Sequence, residues 1–271
     1  MAGDISPLNG NWALILGASS GFGEAAALEL ASMGLHIFGV HLDRKATLPN
    51  AERIAGEIRA LGREAVFFNV NAADAEQRAE VLNQIQTRLQ QSKDQASVRI
   101  LLHSLAFGTL KPFIAKAPAD AIGKSHLDMT VDVMANSLVY WVQDLVGRQL
   151  MVRGGRVFAM TSAGGARVWS TYGAVSAAKA ALESHIRQLS LELAPLGITA
   201  NSIMAGVTDT PALRKIPGSE QMIEIAQRKN PSGRLTTTKD VAGAIGLLSH
   251  PKAQWVTGNV ICVDGGEFIV D

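Results

Sequence analysis

The chain has 271 residues, 47% of them hydrophobic and 18% charged, enough for one large core with room for no more than a small appendage. Its 25 Lys+Arg against 24 Asp+Glu leave a formal charge of +1, which excludes a general attraction to nucleic acid or to an anionic membrane. The single cysteine, Cys262, excludes an intrachain disulfide, fits a reducing compartment and reads as a small buried hydrophobe. Met1 to Pro7 show neither a basic start nor an apolar run, and no stretch reaches about eighteen uninterrupted apolar residues, so the expectation is a cytoplasmic protein with no membrane segment.

Taken in chain order, short apolar runs at 12–16, 36–40, 65–70, 98–102, 156–160, 198–203 and 260–263 alternate with stretches of helical periodicity. The runs are near-continuous in Val, Ile, Leu and Phe, the pattern of strands covered on both faces, and helical crossovers make such strands parallel. The expectation is an α/β fold in which one doubly wound parallel sheet of about seven strands carries helices on both faces. No linker, repeat or low-complexity tract divides residues 1–271, which read as a single domain.

The first run ends in Gly17-Ala18-Ser19-Ser20-Gly21-Phe22-Gly23, and a helix follows from Glu24. Strand, glycine loop and helix N-terminus make a phosphate cradle, because glycines let backbone N–H groups approach and the helix end carries partial positive charge. Its place in the first βα turn makes the fold Rossmann-like and marks Gly17, Ser19, Ser20, Gly21, Phe22 and Gly23 as cofactor-binding. The second run leads into His41-Leu42-Asp43-Arg44-Lys45. The acid that would hold a free 2′-hydroxyl is missing from the strand tip, and Asp43 stands two positions late. Arg44 and Lys45 suit a 2′-phosphate, so NADPH is expected ahead of NADH; a solvated turn of mixed charge is the competing reading of these residues.

Beyond the fifth run come Thr161-Ser162, a polar loop, Tyr172 and, seven residues on, Lys179 in an Ala-rich stretch; from Ser170 the pattern reads as one long helix. At about 100° per residue, seven residues return nearly to one face, so the Tyr172 phenol and the Lys179 ammonium can look into one site. A lysine near a phenol favours the phenolate and leaves the hydroxyl a better donor to a substrate oxygen gaining negative charge, which is reductive chemistry. The bland alternative is a surface lysine beside a half-buried tyrosine. Residues 208–238 hold Pro211, Pro217, Gly218, Pro231 and Gly233 around a short amphipathic piece, an excursion from the sheet and a candidate substrate lid. Arg214, Lys215, Arg228 and Lys229 there offer a basic rim for an acidic carrier protein or, singly, a solvated helix face.

The glycine loop, Ser162, Tyr172, Lys179, Asn201 and the closing run Thr257-Gly258-Asn259 to Asp264-Gly265-Gly266 together resemble the short-chain dehydrogenase/reductase superfamily over nearly the whole chain. In common members the tyrosine lies four residues before the lysine; that position here is Val175, and the Tyr172-x6-Lys179 spacing is similar to the branch containing the bacterial enoyl-acyl-carrier-protein reductases. His103-Ser104-Leu105-Ala106, Asp132-Val133-Met134 and Ala205-Gly206-Val207-Thr208-Asp209-Thr210 agree with that branch. Ser162 departs from its best-known subtype, which has a second tyrosine there, and the combination is similar to a smaller subtype that uses NADPH.

The resemblance implies that hydride passes from NADPH to the β-carbon of an acyl-carrier-protein-bound trans-2-enoyl thioester, in fatty-acid synthesis. Tyr172 would donate to the enolate oxygen, Lys179 would hold the nicotinamide ribose, and Ser162 would add a hydrogen bond or support the loop. It further implies that Val70, Asn71, Ser104, Leu105, Ala106, Ala205, Gly206, Thr208 and Thr210 line the cofactor, that no metal takes part, and that the protein is a homotetramer. Met160, Met204 and Met222 could line an acyl channel or be ordinary core, and His103 reads as a packed strand-end histidine. A carbonyl reductase or alcohol dehydrogenase of the same superfamily, such as a 3-oxoacyl-thioester reductase, is the alternative. A cofactor-binding regulator without turnover has no need for an aligned donor and lysine.

Overall fold

The computed structural model describes residues 8–92 and 96–270; the N-terminal stretch read above for targeting signals lies outside the described residues. Seven parallel strands form one sheet in the order β3-β2-β1-β4-β5-β6-β7. These are β1 (Trp12–Leu16), β2 (His36–His41), β3 (Ala65–Asn69), β4 (Val98–His103), β5 (Arg156–Ser162), β6 (Thr199–Ala205) and β7 (Val260–Val263). The helices are α1 (Gly21–Ser32), α2 (Leu48–Ala60), α3 (Ala75–Gln90), α4 (Lys124–Val131), α5 (Ser137–Gly147), α6 (Gly173–Leu193), α7 (Ser219–Lys229) and α8 (Thr238–Ser249).

Why the strands read as unbroken apolar runs is visible in β1, where every residue is buried. Trp12, Leu14 and Leu16 enter one core with residues of α3, α5 and α6, whereas Ala13 and Ile15 enter another with residues of α1, α2 and α8. A period of two with both faces covered leaves no polar position. β7 corrects that reading at the sheet's edge: its residues alternate between exposed and half-buried, and Cys262 is exposed rather than a buried hydrophobe. Only one neighbour, β6, covers this strand within the sheet.

The strand order reverses between β1 and β4, both of which pair with parallel register. That topological switch point opens a crevice at the carboxyl ends of the strands, where open α/β sheets place their ligands. The loops after β1, β4, β5 and β6 converge there. The 208–238 excursion consists of a short turn, Leu213–Lys215, the amphipathic helix α7, and a joint that ends at the capping box of Thr237 and Asp240 before α8.

Candidate active site

The glycine loop is built as a cradle. Gly17, at φ 91°, turns β1 out of the sheet, and a Cβ on it would stand 2.4 Å from the Ser104 carbonyl oxygen. Gly23 lies so close to the start of the loop that its Cβ would stand 2.0 Å from the Gly17 oxygen. Ser20 occupies the N-cap of α1 without a side-chain cap bond, so the first-turn N–H groups face the loop. Thr210 closes the other side: its methyl lies 3.6 Å from the place of a Gly21 Cβ. The structure thus brings Gly17, Ser19, Ser20, Gly21, Phe22 and Gly23 together with Ser104 and the Ala205–Thr210 segment, and a cradle with no room for side chains fits a dinucleotide pyrophosphate.

After β2 the chain adds a turn that spacing alone does not describe. Asp43 is two residues past the strand tip, yet the chain curls back there. Its carboxylate meets His41 Nδ1 at 2.8 Å, and its backbone N–H and C=O bond the Asn69 amide at 2.8 and 3.0 Å. Hydrogen bonds from Ser19, Thr47 and His41 outweigh its burial and hold the carboxyl below its usual range. This turn brings the Asp43 carboxyl toward Ser19 of the glycine loop, although Asp43 stands two residues past the strand tip. Arg44 and Lys45 are exposed beside it. The Val70 N–H donates to the His41 carbonyl, and Asn71 is held by Gln77 and Ala73 at the next strand end.

After β5, α6 begins at Gly173, not at Ser170. Thr171 sits at φ 63°, a left-handed conformation that costs a β-branched residue about 1–3 kcal/mol and recurs at functional sites. This turn makes Tyr172 the N-cap of α6. Tyr172 nevertheless keeps helical register, its carbonyl accepting the Ser176 N–H at 2.8 Å, and the adjacent Gly164 and Gly165 lie against Tyr172 and Lys179 in turn. The Tyr172 ring packs on Gly164, where a Cβ would stand 2.5 Å from Cε1 and 3.1 Å from Ser162 Oγ. Burial raises the phenol's pKa, opposed by a hydrogen bond with Ser162.

Lys179 lies behind, buried, its Nζ donating to the Met160 carbonyl at 2.6 Å. Burial lowers its pKa to about 8 against the charge of Glu183, whose carboxylate accepts from Thr161 at 2.6 Å. Tyr172 and Ser162 are thus in contact, whereas the ammonium is held by a strand carbonyl and not by the phenol, and burial raises the phenol's pKa with no opposing shift from Lys179.

Met160 and Met204 are core residues, as the plainer reading had it. The apolar wall beside Tyr172 is instead Met134, Val175 and Ala178 with Leu110, Val131 and Val133. Val175, at the usual tyrosine position, is buried in this wall. His103 is fully buried, with Nε2 at 2.8 Å from Ser137 Oγ, which in turn donates to the Val133 carbonyl, so Nε2 carries the proton. Burial and the Lys179 charge lower its pKa to about 3, and it stays neutral. Between α4 and α5, Asp132–Asn136 form a π-helical turn, a distortion frequent at functional sites and without a periodicity signal in sequence. Asn201 ties β6 to the loop before β7 through Val256 and Asn259. Among the described residues no group of three or more His, Cys, Asp or Glu could hold a metal, and no helix is long and apolar enough to cross a membrane.

A seven-stranded doubly wound sheet with a glycine cradle and a Ser–Tyr–Lys set at its switch point defines a dinucleotide-dependent oxidoreductase. The chain belongs to the short-chain dehydrogenase/reductase superfamily, in the family whose model, described as enoyl-(acyl carrier protein) reductase, matches residues 17–267. It is 29% identical over 266 residues to 1-cyclohexenylcarbonyl-CoA reductase of Streptomyces collinus, covering 95% of this chain and 86% of that one. An NADPH-dependent aldehyde reductase-like chloroplastic protein of Arabidopsis thaliana is 30% identical over 272 residues, with 96% and 95% covered. The crystal structure of enoyl-[acyl-carrier-protein] reductase (NADH) from Aquifex aeolicus superposes with a TM-score of 0.83 at 25% identity, over 97% of this chain and 98% of that one.

Proposed function

We propose that the protein reduces enoyl thioesters, with an acyl-carrier-protein-bound trans-2-enoyl thioester of fatty-acid synthesis as its substrate. The observation that carries this reading is the exchange at α6: Val175, with no proton to give, walls the site, while Tyr172 presents its phenol from the N-cap beside Ser162. A ketone takes hydride at the carbonyl carbon and a proton on the adjacent oxygen; an enoyl thioester takes hydride two atoms away, so its donor stands elsewhere relative to the nicotinamide. Reduced nicotinamide supplies the hydride when bound. Tyr172 donates to the enolate oxygen, Ser162 steadies the phenol, and Lys179 turns from the Met160 carbonyl to the ribose hydroxyls. The named substrate of the Streptomyces relative, an unsaturated acyl-CoA, points the same way.

The test is the rate of absorbance loss at 340 nm with crotonyl and acetoacetyl thioesters, using NADPH and then NADH. Faster crotonyl reduction is expected. The Ser162–Tyr172 contact and the aldehyde reductase-like relative favour carbonyl reduction as the second reading, and faster acetoacetyl reduction would put it in place of the first.

For the cofactor, NADPH is proposed with NADH also accepted, because Arg44 and Lys45 attract a 2′-phosphate that Asp43 opposes. Arg44→Ala with Lys45→Ala is expected to weaken NADPH binding by about 1.5–3 kcal/mol per lost contact and to leave NADH unchanged. Asp43→Asn should shift selectivity further toward NADPH, by roughly tenfold. Fluorescence titration with both nucleotides checks this; equal changes for the two would reject the assignment.

Partners belong to the same proposal. Of the basic rim, Arg214 is bound by both oxygens of Asp209 at 2.7 Å, and Lys229 faces Glu267, which leaves Lys215 and Arg228 exposed for an acidic carrier. Charge reversal at these two is expected to raise KM severalfold for carrier-protein substrates and not for coenzyme A thioesters; a uniform effect would count against docking. Exposed Leu247, Trp255 and Ile269 around the β7 edge suit burial against further copies in a homotetramer, and a cytoplasmic setting goes with that reading.

A further inference from the structure

The C-terminal turn ties together the loops that follow β5 and β6. After β7, Gly265 and Gly266 adopt φ of 63° and 89° and send the chain back toward the ends of β5 and β6. The Asp264 carboxylate fixes this reversal by accepting the N–H groups of Gly266 at 2.9 Å and Phe268 at 2.8 Å. Glu267 then reaches into the loop after β6, where its Oε2 accepts the Val207 N–H at 3.0 Å. Neighbouring Gly206 has no room for a side chain: a Cβ would stand 2.8 Å from that Oε2 and 2.4 Å from Thr236 Oγ1. On the opposite side Arg167, from the loop between β5 and α6, stacks over the Phe268 ring at 4.5 Å and donates to the Phe268 carbonyl. Asn230, at the joint between α7 and α8, donates to the Asp264 carbonyl at 2.8 Å. A cleft of about 160 Å³ bordered by Asn230, Thr236, Val263 and Gly265 adjoins it.

We propose that Glu267 is a positioning residue for the dinucleotide site, holding the Val207–Thr210 segment across the glycine cradle through the Val207 N–H. The role rests on the reading of the site given above. Thr210, three residues beyond Val207, lies against the Gly21 position, so a shift of this segment reaches the cradle without Glu267 touching any reacting atom. Burying a carboxylate is costly unless the charge is used. Burial raises the pKa of Glu267, the Val207 N–H lowers it, Asp264 raises it, and Arg167 and Lys229 lower it.

The test uses the full chain with Glu267→Ala and Glu267→Gln. NADPH affinity is read by fluorescence titration, KM and kcat with crotonyl thioester, backbone amide exchange over residues 206–216, and Tm. Glu267→Ala is expected to raise the NADPH Kd and KM about fivefold or more, more than it lowers kcat, with faster exchange confined to 206–216. Glu267→Gln keeps an acceptor oxygen and is expected within about threefold of the parent. An unchanged NADPH Kd in Glu267→Ala, or exchange that quickens throughout the core as Tm falls, would overturn the role alone. A parent protein that bound neither NADPH nor NADH would overturn the site reading and this role with it.

Discussion

Tyr172→Phe is expected to lower kcat for crotonyl thioester by roughly 10²–10³, the usual loss when one oxyanion donor is removed, with NADPH affinity little changed. The ring's packing on Gly164 and on the Val175 wall needs no hydroxyl, so phenylalanine keeps the local structure. What disappears is the donor beside Ser162. Because burial holds the phenol above its ordinary pKa, it stays protonated across the neutral range, and the parent's kcat should be flat there as far as this group is concerned. Steady-state rates from pH 6 to 9 for parent and variant check both points. A loss of less than about threefold would remove Tyr172 from the chemistry.

The second large effect is at Lys179, where function and stability pull apart. Its pKa falls from 10.5 to about 8 through burial, which at about 1.4 kcal/mol per pH unit amounts to roughly 3 kcal/mol. The sign follows from proton counting. Below pH 8 the lysine is charged in both states and the fold carries the full desolvation cost; between 8 and 10.5 the unfolded chain holds the proton and the folded one does not, so stability rises with pH over that window. Lys179→Met removes this cost but leaves the Met160 carbonyl without its Nζ donor, a loss of about 1–2 kcal/mol. At pH 7 the variant is expected to melt higher by on the order of 5 °C and to bind NADPH about 10–10² fold more weakly. Above pH 10.5, where the parent no longer bears the cost, the gain should vanish. A variant that melted lower than the parent at pH 7 would contradict the account of a functional lysine kept at a cost to stability.

These two residues also mark how far the sequence could be read. The sheet was legible because β1 and its neighbours are buried on both faces and leave continuous apolar runs. β7, open on its outer face, carries the same apolar run without that double cover, and Cys262 is exposed with it. The glycine cradle was legible because its steric demand falls on residue type: only glycine fits at Gly17 and Gly23. The start of α6 was not, since a left-handed Thr171 breaks the helical pattern with a residue that rarely does so. Asp43 shows the same limit, its contact with the cradle depending on a turn after β2 that no spacing rule describes. Glu267 had no sequence signal at all, because the residues it joins lie 60 positions apart in the chain.

The central claim, that hydride is delivered to a β-carbon and not to a carbonyl, is tested most directly by following the label. Crotonyl thioester reduced with nicotinamide-deuterated NADPH should give butyryl thioester with deuterium at C3 and a solvent hydrogen at C2, read by mass spectrometry and deuterium NMR. Deuterium at the carbinol carbon of 3-hydroxybutyryl thioester, formed from acetoacetyl thioester while crotonyl thioester stays unreduced, would contradict it.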